Sequence, residues 1–291
     1  MEFVDATDKM LSDENCIVFI GAGDGSAGYS VYKKEKPEYL YQAMESIFNQ
    51  SLLPSEVVLM EDGLLTEELY QVIDNMVKRY QVIRVFQFKE NVQLGRALAK
   101  GVELCENELI ARMDTDDIAE PNRFLHQCSY MQEHPSVDVC GGWMQEFNDD
   151  GDYYRQKKMP EYDEEIRRYG KYRNPINHMT VMFRRSAVLS VGNYRHMPLL
   201  EDYDLWTRMM VKKMEFYNIP EVLVKMRNND EVYQRRGGWT YFQRYVAFRK
   251  NQRQMHWLSN REYMVAVLVT MGMTLQRAKI RKCIYQKILR K

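Results

Sequence analysis

The stretch LIARMDTDDIAEPNR, residues 109–123, joins an apolar run to a group of acids. The run LIARM has strand character, Asp114, Asp116 and Asp117 follow it, and a helical pattern begins at Pro121. Three carboxylates in four positions repel one another unless a cation lies among them. Hard divalent ions such as Mg²⁺ and Mn²⁺ take oxygen ligands and usually bind a substrate phosphate as well. The alternative is an acidic turn that caps the next helix, so the surrounding elements have to decide.

Upstream of this stretch, helices and strands alternate. A helix predicted after Pro37 has apolar residues at helical spacing, and a second helix covers residues 69–80. Short apolar runs at 56–60, 83–88 and 109–113 are the predicted strands, and 91–101 gives a small-residue helix. This order predicts an α/β protein with a doubly wound, mostly parallel sheet. Ligands bind such sheets at the carboxyl ends of the strands, where Glu61, Asp62 and the Asp114 group lie.

The second half of the chain predicts a smaller set of elements. Strands are expected at 137–142, 180–183, 215–219 and 222–227, with an irregular polar stretch at 148–172. A short helix is predicted from Ser186. Another opens in LEDYDLW, residues 200–206, where Glu201, Asp202 and Asp204 lie in the first turn. Acids there are favoured by the helix dipole alone, so their presence does not by itself indicate a site.

The glycines near the start satisfy a dinucleotide-binding spacing. Gly23, Gly25 and Gly28 give G-x-G-x-x-G after an apolar run at 16–20. In a dinucleotide site these glycines open a helix, whereas strand-like residues, a charged turn and Pro37 follow here. A flexible loop is therefore the preferred interpretation.

Composition limits the class of protein. The 291 residues hold 41 basic and 41 acidic residues, which argues against a general nucleic-acid binder. Residues 234–291, however, contain 14 Lys and Arg against the single acid Glu262, and this suits an anionic partner such as a membrane surface. The five cysteines show no paired spacing and predict reduced thiols of a cytosolic protein. We expect no secretory signal, and the apolar run at 263–275 is shorter than the roughly 20 residues of a spanning helix.

A set of motifs carries a family resemblance from about residue 29 to 238. They are, in order, SVYKKEKPEYL (30–40), QAMESIFNQS (42–51), VVLMEDG (57–63), ENVQLGRALAKG (90–101), IARMDTDD (110–117) with PNR (121–123), NHMTVMFRR (177–185), VGNY (191–194), LEDYDLW (200–206), NIPEVLVKMR (218–227) and RRGG (235–238). The chain resembles a family 2 glycosyltransferase with the GT-A fold, of the bacterial group that builds capsular, exopolysaccharide and O-antigen repeats. It departs from the family at the start, where either residues 16–20 or 30–32 supply the first strand.

The resemblance implies a donor site for a nucleotide-sugar. Tyr32, Glu61 and Asp62 would line the pocket for the base, which is uridine or another nucleobase. Arg96 would lie near the nucleotide, and Asp114 near the ribose or the donor sugar.

The resemblance also implies a divalent cation, Mn²⁺ or Mg²⁺. Asp116 would be the metal-binding acid of the D-x-D motif, with Asp114 as a further metal residue and Asp117 as a second ligand or a support. His178 would complete the metal shell or touch the acceptor, with a structural histidine as the alternative. Arg235 and Arg236 would neutralise the leaving diphosphate, or else be solvated.

The reaction implied is an inverting transfer of a sugar from a nucleotide donor, a UDP-sugar, to a glycan on a polyprenyl diphosphate. Asp202 would be the catalytic base, although spacing does not exclude Glu201 or Asp204. A nucleotidyltransferase and an inactive membrane-associated scaffold are the rivals. The glycine-rich loop lacks the basic residue that the former needs.

The predicted organisation has two parts. Residues 1–233 would form the catalytic domain, with a nucleotide-sugar half at about 16–117 and an acceptor half at about 118–233. Residues 234–291 would form a basic helical region, which either lies on the anionic inner face of the cytoplasmic membrane or packs on the catalytic domain. The protein is thus expected to be cytoplasmic and peripheral to that membrane.

Overall fold

A computed structural model of the protein describes residues 17–21, 35–149, 152–227, 238–274 and 276. Within these residues the elements alternate as the sequence predicts. The strands are β1 (Ile17–Gly21), β2 (Glu56–Glu61), β3 (Ile83–Gln87), β4 (Leu109–Met113), β5 (Ile118–Ala119), β6 (Val137–Phe147), β7 (Tyr153–Lys157), β8 (Met182–Arg184) and β9 (Glu215–Arg227). The helices are α1 (Pro37–Phe48), α2 (Glu67–Arg79), α3 (Leu94–Leu104), α4 (Arg123–Glu133), α5 (Asp163–Gly170), α6 (Arg185–Ser190), α7 (Glu201–Val211), α8 (Trp239–Gln254) and α9 (Asn260–Thr274), with a 3-10 turn at His178–Thr180.

The strands form one mixed sheet. Its order is β3-β2-β1-β4-β8-β6-β9-β5, and β7 pairs with β6 at the side. The four strands β3, β2, β1 and β4 are mutually parallel, while β8 runs antiparallel between β4 and β6. The carboxyl ends of β2 and β4 therefore open at the same edge, separated by one strand. Residues 17–21 supply the strand between them. This observation confirms the first of the two choices for the first strand, residues 16–20, whereas residues 30–32 lie outside the described residues.

Helices cover both faces of the sheet. Alternate residues of β2 enter opposite cores, because successive side chains of a strand point to opposite faces. Val57 and Leu59 pack with α1, α2 and α4, whereas Val58 and Met60 pack with α3, α6 and α7. The predicted doubly wound arrangement is thus confirmed as three layers with two apolar cores.

Two of the predicted local structures differ from those observed. The stretch 148–172, expected to be irregular, contains β7 and α5. Helix α5 buries only Ile166 and Gly170, so its sequence shows no helical spacing of apolar residues. The two strands expected at 215–227 are a single strand, β9. Its pairing with β6 shifts register beside Pro220, where a bulge accommodates a residue that has no N–H to donate.

The C-terminal helices α8 and α9 pack against each other. The helical character expected of this region is confirmed for residues 239–254 and 260–274, while the basic stretch 277–291 lies outside the described residues. Among the helices that the structure describes, none is long and apolar enough to cross a membrane.

Candidate active site

The acid group begins with an ion pair on β4. Arg112 is 2% exposed, and its guanidinium holds both carboxylate oxygens of Asp114, with 2.7 Å from Nη1 to Oδ2. Burial raises the pKa of Asp114, the Arg112 charge opposes that shift, and the charge of Asp202 adds to it. Two conclusions follow. Asp114 is oriented by its own strand, and the charge of Asp202 acts on it although 88 positions separate the two residues in the chain.

The other two acids have different surroundings. Asp117 is 2% exposed, and its Oδ1 accepts the backbone N–H of Arg227 at 2.9 Å. Burial, followed by the charges of Asp114 and Glu35, raises the pKa of Asp116 to about 8. Within the described part of the chain, the carboxylate of Asp116 accepts a hydrogen bond from its own backbone N–H alone. Asp116 is therefore the acid whose oxygens are available to a ligand.

Arg227 fixes the loop from the end of β9. Its Nε donates to the carbonyl of Asp116 at 3.1 Å, and its two Nη atoms donate to Gln42 and Asp149 at 2.6 and 2.8 Å. The guanidinium lies 3.9 Å from the ring centroid of Tyr39. A guanidinium held by stacking and by several acceptors has little freedom left to lose. Its hydrogen bond to the Asp116 carbonyl therefore holds the acid loop in place.

A cavity lies beside the loop at the ends of β2 and β4. It is lined by the polar residues Glu35, Glu61, Asp62 and Thr115 and by apolar residues of β2, α1 and α2. Burial raises the pKa of Glu61, while Asp62 accepts the backbone N–H of Val92 at 2.5 Å and thereby fixes the turn before α3. The cavity brings together two of the three residues expected to bind the base. Tyr32, the third, lies outside the described residues.

The second acid group lies in the first turn of α7. The Asp202 Oδ2 accepts a short hydrogen bond from Asn174, and its Oδ1 accepts the backbone N–H of Tyr203 at 2.7 Å. Glu201 is 4% exposed, and burial raises its pKa to about 8 against the hydrogen bonds from the Leu199 and Leu200 amides. Asp204 is 2% exposed and pairs with Arg208 at 2.8 Å.

His178 lies in the 3-10 turn beside the acid loop. Its Nε2 is 2.9 Å from the hydroxyl of Tyr194, and its ring packs against Trp206. Burial, and then the charge of Arg112, holds its pKa well below the usual value. The imidazole is thus neutral and has a hydrogen-bond partner, as the structural alternative requires.

Of the three cationic residues expected near the nucleotide, the structure describes only Arg96, which makes no described contact with the acid loop. Arg96 is exposed on α3. Its charge acts on His196, whose pKa is lowered by burial and then by the Arg96 charge. Arg235 and Arg236 lie outside the described residues.

The donor set around Asp116 fits a hard cation only in part. No group of three His, Cys, Asp or Glu side chains among the described residues forms a preassembled metal cage. Asp114 and Asp117 already accept hydrogen bonds from other residues, so Asp116 is the acid of this loop whose oxygens have the fewest described partners. An ion such as Mg²⁺ or Mn²⁺ fits that arrangement when most of its other ligands are waters and substrate phosphates.

Sequence reasoning missed Arg112, Arg227, Asn174 and Glu35. A charged residue inside the apolar run LIARM was a visible signal for Arg112. The other three contact the acids from distant parts of the chain and leave no local pattern.

Comparison with known proteins supplies a family match. The protein-family model "Glycosyl transferase family 2" matches residues 30–191. The amylovoran biosynthesis glycosyltransferase AmsE of Erwinia amylovora is 40% identical over 212 residues, which are 73% of this chain and 79% of that protein. The UDP-Gal:alpha-D-GlcNAc-diphosphoundecaprenol beta-1,3-galactosyltransferase of Escherichia coli is 33% identical over 263 residues, covering 90% of this chain and 95% of that protein.

Solved structures share the architecture. S. aureus TarS 1-349 in complex with UDP-GlcNAc superposes with a TM-score of 0.63 at 12% identity, covering 94% of this chain and 76% of that chain. The mannosyltransferase PcManGT from Pyrobaculum calidifontis, in complex with GDP-Man and Mn²⁺, gives 0.59 at 11% identity, with 89% and 74% covered. At these identities the likeness concerns the fold alone, and it confirms the predicted GT-A architecture.

Proposed function

This chain belongs to glycosyl transferase family 2 and is a glycosyltransferase, and from that premise we propose an inverting transfer from a UDP-sugar to a glycan hydroxyl on a polyprenyl diphosphate. The observation that carries this proposal is the charge interaction between Asp202, a hydrogen-bonded carboxylate of α7, and Asp114 of the donor-side acid loop. The E. coli relative, whose name specifies a UDP-sugar and a lipid-diphosphate acceptor, matches almost along its whole length.

Asp202 would act as the general base. The acceptor hydroxyl attacks the anomeric carbon as its proton passes to an Asp202 oxygen, and the bond to the nucleoside diphosphate breaks on the opposite side. Asn174 and the Tyr203 amide orient the carboxylate for this role. Asp114, held by Arg112, would accept hydrogen bonds from the ribose or the donor sugar. Attack from the side opposite the leaving group inverts the anomeric centre.

Asp116 would hold the divalent cation, with Asp117 as a support. When bound, Mg²⁺ or Mn²⁺ supplies positive charge to the departing diphosphate. Arg227 keeps the loop in place through the carbonyl of Asp116 and the carboxylate of Asp117. For His178 we favour a structural role in this arrangement, because Tyr194 already occupies its Nε2.

The cavity beside the loop would receive the nucleobase. Its carboxylate residues Glu61 and Glu35 are acceptors of the kind that the imide N–H of uracil needs. The apolar residues in its lining suit the face of a planar base, and the polar ones suit its edge.

The C-terminal helices would lie on the inner face of the cytoplasmic membrane. One face of α9 packs inward through Ala266, Thr270 and Thr274, so the helix does contact the rest of the protein. The other face leaves large apolar side chains exposed: Met264 62%, Val265 48%, Leu268 59%, Val269 58% and Met271 43%. Each basic residue near an anionic leaflet contributes about 1 kcal/mol, and residues 277–291 contain seven of them.

A truncation tests the membrane contact. Removal of residues 261–291 should release the protein from anionic vesicles while donor hydrolysis continues. Vesicles of neutral lipid serve as the reference for the electrostatic part of binding. Undiminished binding of the truncated protein to anionic vesicles would assign the contact to another surface.

A panel of nucleotide sugars tests the proposed reaction. The purified protein should be stabilised against heat by one UDP-sugar in the presence of Mn²⁺ and much less in its absence. A ligand at about 100 times its dissociation constant adds roughly 2.7 kcal/mol. Transfer of that sugar to a polyprenyl-diphosphate glycan should follow. Nucleotidyl transfer from a nucleoside triphosphate would favour a nucleotidyltransferase instead, and failure of every donor to bind would favour a scaffold.

A further inference from the structure

The turn that follows α5, residues 170–174, is held by the C-terminal helix pair. Its first three carbonyl groups accept hydrogen bonds from α8 and from the segment that joins α8 to α9. Trp257 Nε1 donates to Gly170 at 3.3 Å, and the two Nη atoms of Arg249 donate to Lys171 at 2.9 Å and Tyr172 at 2.6 Å. The Lys171 ammonium also pairs with Glu262 of α9 at 2.6 Å. The Tyr172 and Arg173 amides join the turn to the end of α5, while its carbonyl groups are held from outside.

Arg249 is the centre of this contact. It is 1% exposed, although arginine is almost never fully buried without partners. Besides the two carbonyls, its guanidinium donates to the hydroxyls of Tyr203 and Tyr245, each at 3.1 Å, and to Gln252 at 2.7 Å. A buried cation with several fixed acceptors holds those acceptors in one geometry.

The same turn carries the residue that orients Asp202. Asn174 lies two residues beyond the carbonyl of Tyr172 and donates from its side chain to Asp202 Oδ2. Tyr203 follows Asp202 in the chain, and its hydroxyl donates to the Gly170 carbonyl at 2.8 Å while accepting from Arg249. Both the turn and α7 therefore contact the Arg249 guanidinium, and each also supplies a hydrogen-bond donor to the Asp202 carboxylate.

We propose that Arg249 is a positioning residue that fixes the 170–174 turn and, through Asn174, the carboxylate of Asp202. The C-terminal helix pair is then part of the catalytic unit as well as a membrane contact. This inference rests on the proposed function, in which Asp202 takes the proton of the acceptor hydroxyl. Displacement of such a group by about 1 Å can lower a rate by about 100-fold, so a residue outside the site can control the chemistry.

Substitution of Arg249 separates positioning from donor binding. Arg249→Met should lower kcat for sugar transfer by about 10- to 100-fold, whereas the Kd of the UDP-sugar should stay within about twofold because the acid loop is untouched. Arg249→Lys keeps the charge but cannot hold both carbonyls, so it should recover part of kcat. Lys250→Met, at the exposed neighbouring position of the same helix, is the matched control and should leave kcat unchanged. Equal loss of donor affinity and kcat, or no loss of kcat, would overturn the inference.

A double-mutant cycle tests whether the effect passes through Asp202. In an Asp202→Asn background, Arg249→Met should cause no further loss of transfer, since the base that it positions is gone. If Arg249→Met fails to fold, Asn174→Ala gives the same test from the other end of the contact. If the losses of the two single variants multiply in the double variant, Arg249 does not act through Asp202, although Asp202 can still be the base. Normal transfer by Asp202→Asn alone would contradict both the role of Asp202 as the base and the positioning role of Arg249.

Discussion

Two acid groups of similar composition, residues 114–117 and 201–204, belong to the candidate site. Each has three carboxylates in four positions, one group after a strand and the other in the first turn of a helix. In each, one acid is paired with an arginine of the adjoining element. Asp114 pairs with Arg112 two residues earlier, as alternation along a strand allows, and Asp204 pairs with Arg208 four residues later, at helical spacing.

A second acid in each group accepts backbone amides. Asp117 accepts the N–H of Arg227, and Glu201 accepts those of Leu199 and Leu200. The third acid differs between the groups. Asp116 accepts, within the described residues, only its own N–H, whereas Asp202 is oriented by Asn174.

The comparison teaches that acids in similar sequence patterns can have different roles. Their hydrogen-bond and ion-pair partners distinguish an acid that supports the structure from one that serves catalysis or metal binding. A carboxylate used for catalysis needs orientation from a neutral donor that leaves its basicity intact, and a carboxylate used for a cation needs available oxygens. Substitutions at the individual acids can therefore break or sharpen the comparison.

The largest effect is expected from Asp116→Ala. This change should abolish metal-dependent binding of the nucleotide, and with it transfer. It should not lower the free energy of unfolding of the metal-free protein, because it relieves repulsion among buried carboxylates. Binding can be followed by titration with UDP in the presence of Mn²⁺ and of a chelator. Nucleotide binding by the variant that remains sensitive to the chelator would place the cation elsewhere.

Asp202→Asn should give the next largest effect. A positioned base contributes about 100- to 10,000-fold, so transfer should fall by at least about 100-fold while nucleotide and metal affinity stay nearly unchanged. The fold should be retained, since asparagine can still accept the Tyr203 amide. Single-turnover transfer assays give the rate directly. Near-normal transfer would return Asp202 to a supporting role and remove the difference between it and its neighbours.

Asp204→Ala should act on stability instead of chemistry. Arg208 is 5% exposed and also donates to the carbonyls of Val191 and Asn193. Loss of Asp204 leaves this buried charge without a counter-charge, at a cost of about 3–5 kcal/mol. Urea unfolding measures this directly. The double variant Asp204→Ala/Arg208→Met should recover part of the loss because the charge is gone. A single variant as stable as the wild type would show that the pair is not a support.

The fold was predictable where apolar periodicity is strong. Helices α1 and α2 bury residues at regular spacing, and β2 and β4 are short apolar runs. The misses have physical reasons. Helix α5 is stabilised by acids in its first turn and arginines in its last, with a single buried isoleucine, so its sequence resembles a loop.

The candidate site was predictable only where its residues are neighbours in the chain. The acids of 114–117 and 201–204 are visible in the sequence as clusters, whereas their partners are not recognisable from the sequence. Arg227 lies 110 positions from Asp117, Asn174 lies 28 from Asp202, and Arg249 lies 78 from Lys171. Such contacts arise from packing of the two halves of the sheet and of the C-terminal helices, which no local pattern encodes. The metal ligands and the roles of Tyr32, Arg96, Arg235 and Arg236 stay predictions.

Glu201→Gln should leave transfer largely unchanged, and its effect on stability depends on pH. Burial raises the pKa of Glu201 from 4.5 to about 8. Between these values the folded protein holds a proton that the unfolded chain releases. This contribution to stability is fully present below the lower value and is lost as pH rises through the upper one. Glutamine is neutral at every pH and can accept the same amides. The free energy of unfolding of the variant, relative to the wild type, should therefore grow with pH across this range, at up to about 1.4 kcal/mol per unit.

Urea unfolding at about pH 5, 7 and 9 measures this difference, with exposed Glu133→Gln as the control for loss of one acidic group. Transfer should be largely retained, in contrast with Asp202→Asn one residue away. Parallel stability profiles, or a loss of transfer as deep as that of Asp202→Asn, would mean that Glu201 is charged in the folded protein and shares the chemistry of its neighbour.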